Sequence, residues 1–267
     1  MINVKKFSCF SVAISFAIGL SACNAGDSSS TGSIDTESTD TSFVNGLTAV
    51  EVVEVSDDSS NESEDESSSS NESQLDKAEQ HHLIFMRQEE KLARDVYTSL
   101  AGMWPDSRIF VNIGEGSEQT HTDVMRDKLE EFNVDDPEPN TDILPSSIGV
   151  FTGELYGSYF NANYQALINK GSQSELDALY VGALIEELDM HDIVECPDII
   201  KDTDNGISDC GLNYTDEPSL INAYSSLLDG SKSHLKAYVG RIESIIGEGN
   251  YEAQILSQDD VNEILGR

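Results

Sequence analysis

The chain has 267 residues and carries 50 Asp and Glu against 15 Lys and Arg, a formal net charge of −35. No basic face is available to neutralise phosphates, which excludes nucleic acid as a partner. The length is enough for one large or two small domains, although not all of it is available for folding.

Residues 1–22 read as an export signal. Lys5 and Lys6 supply a positive start, Phe10 to Leu20 form a short apolar stretch, and Leu20-Ser21-Ala22-Cys23 matches a bacterial lipoprotein processing site. Cleavage before Cys23 and its lipidation predict attachment to the cell envelope through acyl chains alone, with the folded part in water. Asn24 after the Cys points to the outer rather than the inner membrane. Residues 23–74 are dense in Ser and acids, as in Asp57-Asp58-Ser59-Ser60 and Ser67-Ser68-Ser69-Ser70. Such a composition buries too little apolar surface to offset its ordering entropy, so an extended acidic tether is expected. Residues 75–267 form the predicted folded domain.

In that domain apolar residues recur at helical spacing. The first helix is predicted from Asp76 to Ala101, with Leu83, Met86, Glu90, Ala93 and Tyr97 facing inward. A carboxylate in such a stripe is costly unless it is paired or holds a cation, which singles out Glu90. His81 and His82 are expected on the exposed start of this helix. The second helix is predicted from Ser107 to Phe132, with Glu118 and His121 in its buried band. Positions i and i+3 share a helix face, so these two can grip one ion. An irregular connection over 133–153 follows, then a short helix from Tyr159 to Asn169 stopped by Gly171.

Ser174-Glu175-Leu176-Asp177 reads as the capped start of a third long helix running to Val194, with Glu187 inward. The loop over 195–216 carries Cys196 and Cys210, an even pair expected to form a disulfide in an oxidising compartment. It also carries the acidic run Asp202 to Asp209. That run resembles a calcium loop, but Lys201 and Thr203 fall where acids are needed, so calcium there is the weaker reading beside a solvated acidic loop. A fourth helix from Glu217-Pro218 to Ile246 presents Ser231, His234 and Tyr238, with Gly230 allowing close packing or a kink. The tail ends in a short helix, Asp259 to Leu265. The expected fold class is all-α.

Three separated motifs carry a family likeness: the run Glu89 to Tyr97, the run Val181 to Asp189, and Gly230 to Tyr238. Together they resemble the bacterial and archaeal domain of unknown function 2202 family, which is placed among ferritin-like proteins. The likeness covers roughly residues 75–267. It implies an antiparallel four-helix bundle with extra short helices and long loops, and it implies no established activity. Ferritin-like sites take a Glu from each of two helices and Glu-x-x-His from each of the other two. Glu90, Glu118 with His121, and Glu187 fill three of these places; on the fourth helix Ser231 stands where a Glu belongs and only His234 remains. Glu186 with Asp189, or His191, could compensate. Spacing alone leaves open whether Glu186 or Glu187, and Glu89 or Glu90, is the inward carboxylate.

The expected ligands are therefore Glu90, Glu118, His121, Glu187 and His234, with Glu118 bridging. Tyr97 is the candidate catalytic residue, and Arg94 and Tyr238 are orienting groups. Oxygen and imidazole donors suit iron, as two ions or one, and equally manganese or zinc. With two irons the expected chemistry is oxidation of Fe²⁺ by O₂ or peroxide. Two alternatives stand beside it: a site that binds metal without turnover, favoured by Ser231, and a surface interaction module with a degenerate site. The expected partners are metal ions, a membrane reached only through the lipid, and a second copy of the chain in a dimer.

Overall fold

The computed structural model describes residues 75–139, 145–202, 204 and 206–267. The predicted signal, the tether and Cys23 lie outside these residues.

The described chain is all-α. Its elements are α1 (Lys77–Met103), α2 (Arg108–Val111), a π-helical segment (Asn112–Glu118), α3 (Gln119–Glu131), α4 (Gly157–Gly171), α5 (Glu175–Val194), α6 (Pro218–Ile246) and α7 (Gln258–Leu265). Helix starts follow local chemistry. Asp76 and Glu79 form a reciprocal capping box on α1, and the Ser174 side chain accepts the Asp177 N–H on α5. Glu217 caps α6, with Pro218 at its first position, and Ser257 caps α7.

The core is continuous from α1 (Leu83, Met86, Val96, Leu100) through Phe110 and Met125 to α5 (Leu179, Ala183) and α6 (Leu227, Leu235, Ile242). α1 packs against α2, the π segment, α3, α4 and α5, while α6 packs mainly on α5 and also on α3. The acidic connections are not loose throughout. Glu138 is buried in the connection before α4, where it accepts hydrogen bonds from Gln88 Nε2 and from the backbone N–H groups of Thr152 and Gly153.

Two expectations change. The second helix is not one α-helix, because a π turn interrupts it over residues 112–118. Gly114 lies in that turn, and a Cβ there would sit 2.9 Å from Tyr97 Cβ, so the glycine lets this stretch close on α1. His82 is not on an exposed helix start: its ring is buried, with Nδ1 3.0 Å from the Tyr224 hydroxyl and Nε2 2.8 Å from the Asp192 carbonyl oxygen. His81 is half-buried and meets the Tyr156 hydroxyl at 2.9 Å. On another face of α1, Lys91 and Asp95 form a buried ion pair whose ammonium also lies 4.1 Å from the Phe151 ring centroid.

Cys196 and Cys210 are joined, both sulfurs buried. In the acidic loop, Asp202 and Ile207 exchange two backbone hydrogen bonds around a turn closed by Gly206 at φ 81°. Thr203 and Asn205 of the calcium-like run lie outside the described residues. Among the described residues no helix is long and apolar enough to cross a membrane.

Candidate metal centre

Helical spacing turns Glu90 of α1 into the interior, and the π turn ends on Glu118. π turns recur at functional sites because they rotate the residues that follow out of α register. Here the turn delivers Glu118 and His121, one α-helical turn apart, to the same place as Glu90. Glu90 is 1 % exposed, Glu118 2 % and Glu186 2 %.

Two groups of donor atoms form, each within 4.8 Å of one another: Glu90, Glu118 and His121, and then Glu118, Glu186 and His234. Glu118 belongs to both. His121 Nδ1 lies 3.3 Å from Glu90 Oε2 and 3.2 Å from Glu118 Oε2. His234 Nδ1 lies 2.8 Å from Glu118 Oε1 and 3.2 Å from Glu186 Oε2. The two imidazoles face each other with centroids 5.5 Å apart. The network is not fully satisfied: Glu90 Oε1 is buried without a partner, and Glu118 Oε1 and His121 Nδ1 approach their neighbours outside hydrogen-bond geometry. Buried polar atoms are normally paired, so unpaired ones converging on one point need an explanation.

The electrostatics agree. Burial pushes the Glu90 carboxyl up, partly offset by His121. Burial and the Glu118 charge push Glu186 up. Burial works against the charge on Glu118 too, but the two histidines more than reverse it and hold that carboxyl below its usual range. Burial lowers both imidazoles, and the surrounding carboxylates overcome it and raise them. Without a metal, protons on the two rings are what the chain has to balance three crowded acids.

Of the five ligands read from sequence, Glu90, Glu118, His121 and His234 come together. Glu187 does not. It is fully buried on the neighbouring face of α5, where Oε1 accepts the Tyr251 hydroxyl at 2.6 Å and Oε2 accepts the N–H groups of Gln254, Ile255 and Leu256 at 2.8, 2.7 and 3.0 Å. Its oxygens are committed to anchoring the tail, and Glu186 takes the inward place. Tyr97 donates to Glu186 Oε1 at 2.6 Å, with burial raising its hydroxyl well above the ordinary value. Tyr238 packs on Tyr97 with centroids 5.4 Å apart. Arg94 bonds Asp95 and Gln119.

Ser231 is not idle. Its hydroxyl makes a short contact with Asp189 Oδ2, and Asp189, 5 % exposed, leaves Oδ1 without a partner. A carboxylate from α5 thus lies against the α6 position that lacks a Glu. Gly230 has a clear role: a Cβ there would stand 2.6 Å from His121 Cε1 and Nε2, so only glycine leaves room for that ring.

The fold and site together define an all-helical protein with a buried carboxylate and imidazole cluster drawn from α1, the π segment, α3, α5 and α6. The chain belongs to the family described as an uncharacterized protein domain, DUF2202, which matches residues 79–267. It is similar to the uncharacterized protein MJ0754 of Methanocaldococcus jannaschii, 38% identical over 191 residues covering 72% of this chain and 88% of that protein. It is also similar to the crystal structure of that hypothetical protein from Methanococcus jannaschii. The TM-score is 0.59 at 37% identity, over 72% of this chain and 94% of the other.

Proposed function

We propose that this protein is a ferritin-like metalloprotein whose helices enclose a two-ion centre. Glu118 would bridge, Glu90 and His121 would complete one position, and Glu186 and His234 the other. The observation that carries this reading is Glu118 at the common corner of two donor groups, with a buried Glu90 oxygen beside it that has no partner. The residues fit such ions: three carboxylates and two imidazoles are the donor chemistry of iron, manganese or zinc, and burial without partners is what a cation relieves.

Iron held there would exchange electrons with O₂ or peroxide. Tyr97 fixes one Glu186 oxygen and leaves the other toward His234. Its buried hydroxyl keeps its proton, so it holds Glu186 in place as a hydrogen-bond donor. The proposed setting is the cell envelope, with lipid on Cys23 and the acidic segment as a tether. A second reading, metal binding without turnover, is favoured by Ser231 in place of a Glu.

The test is metal content of the purified protein after loading, set beside Glu118→Ala. Two equivalents falling to one or none in the variant is the expected result; unchanged stoichiometry would sink the centre. Fe²⁺ oxidation under O₂ and under peroxide then separates turnover from storage.

A further inference from the structure

Beyond the centre itself, a row of buried acids continues along α5 and α1. Glu186, Asp189 and Asp192 follow at three-residue spacing on α5, a rise of about 9 Å. Each step of three residues falls about 60° short of a full turn, so the row winds slowly around the helix. Glu89 is 7 % exposed, Asp189 5 % and Asp192 7 %. Glu89 Oε2 and Asp189 Oδ1 are buried with no hydrogen-bond partner. The charges acting most strongly on Glu89 are all acids, namely Asp192, Asp189 and Glu90, and its carboxyl lies within hydrogen-bonding reach of Asp192. Asp189 in turn feels Glu90 and Glu118 of the centre. At the outer end Asp192 Oδ1 meets His191 Nδ1 at 2.7 Å, and the His191 side chain is nearly half exposed.

Elsewhere this chain pairs its buried acids closely. Asp95 takes both Lys91 and Arg94, and Glu138 takes two backbone N–H groups and Gln88. Glu89 and Asp189 each keep one oxygen outside any such arrangement. Nor do Glu89, Asp189 and Asp192 form a compact three-donor group of the kind found at the centre. Single carboxylate oxygens, spaced a helical turn apart between surface and centre, suit successive weak coordination of a moving ion rather than one tight site.

We propose that His191, Asp192 and Glu89 form the path by which divalent cations reach the buried centre, with Asp189 standing at its inner edge. The proposal rests on the two-ion reading and says where the ions come in. A residue on a path touches the ion in transit and not at rest. Its loss therefore slows loading and release together and leaves the equilibrium affinity alone.

The experiment mixes Co²⁺ with the metal-free full chain in a stopped-flow instrument and measures loading rate, dissociation rate and final stoichiometry. Wild type is compared with Glu89→Gln and Asp192→Asn, two near-isosteric changes on different helices. The expected result is a loading rate lower by about tenfold or more in both variants, with Kd within about threefold and stoichiometry intact. Unchanged rates in both would overturn the path while leaving the centre standing, as would a weakened Kd at wild-type loading rate, which would make these residues ligands. Failure of wild type to bind Co²⁺, Mn²⁺ or Fe²⁺ overturns the centre and the path with it. Circular dichroism on each variant establishes that it is folded, and agreement between the two substitutions guards against a local packing effect in one.

Discussion

Adjacent glutamates on α5 make a sharp test of the site, because they are chemically identical and differ only in what they face. Glu187→Gln leaves the shape of the side chain but removes the charge that accepts four hydrogen bonds, from Tyr251 and from the backbone of residues 254–256. A glutamine can keep the three backbone bonds through its oxygen, while its amide meets the Tyr251 hydroxyl only as a donor, reversing the fourth bond. What it loses is the charge assistance, about 1 kcal/mol for each bond, so the substitution should cost about 3–4 kcal/mol. For a domain of this size that corresponds to a fall in Tm of roughly 6–16 °C. Thermal unfolding by far-ultraviolet circular dichroism measures it, and amide hydrogen exchange should show the 254–256 segment opening first. Metal stoichiometry should not change. Glu186→Gln should do the reverse. It removes one charge from a crowded cluster, so the metal-free protein keeps or gains stability, while the position shared with Glu118 and His234 weakens. If Glu187→Gln lost metal at an unchanged Tm, the assignment of these two faces would be refuted.

Three other outcomes follow from single contacts. Gly230→Ala drives a methyl into the His121 ring, so metal affinity should fall roughly 10- to 100-fold by titration. The same clash should lower stability by about 1–2 kcal/mol, the cost of overpacking being only partly offset by alanine's better fit to a helix interior. The buried His82 ring has its pKa lowered from 6.5 to about 4 by burial. The unfolded chain therefore binds the extra proton between these values, and the contribution of neutral His82 is full above pH 6.5 and lost as pH falls toward 4. It amounts to about 3 kcal/mol, and urea titrations from pH 7 to pH 4 should show a shallower acid loss in His82→Gln than in wild type. Replacing Cys196 and Cys210 together by Ser opens a short loop and should lower stability by about 3 kcal/mol, read as a drop in urea midpoint.

The parts of this protein that were legible in sequence are those set by neighbours along the chain. Apolar periodicity placed the long helices, and the Ser174 cap and Pro218 marked two of their starts. The i, i+3 spacing of Glu118 and His121 put both on one face, and Glu90 in an apolar stripe stood out as costly. What stayed hidden depends on partners far away. Glu186 and Glu187 differ by about 100° around the helix axis. The choice between them is made by Tyr251 and its following backbone, 64 to 69 residues on. His82 is buried by Tyr224 and Asp192, 142 and 110 residues distant, and nothing local signals that. The π turn had only a faint mark, the glycines at 114 and 116 in a stretch otherwise read as helix. Asp189 was visible as the i+3 partner of Glu186, but its approach to Ser231 required the packing of α5 on α6.

The decisive contrast is between two kinds of buried acid in one interior. Where the fold uses a carboxylate for structure, it supplies donors in full: Glu187 receives one hydroxyl and three backbone N–H groups, and Asp95 receives an ammonium and a guanidinium. Glu90, Glu118 and Glu186 are as deeply buried, yet around them the chain has gathered more acid and two imidazoles. Desolvating three carboxylates against two rings is a poor bargain for stability unless something outside the chain completes it. The two divalent ions proposed here would bring four positive charges, against three negative charges from these glutamates and a fourth from Asp189. The charges then balance with that fourth carboxylate included. This gives a physical reason for an aspartate on α5 to lie against Ser231, at the place where α6 carries no acid of its own.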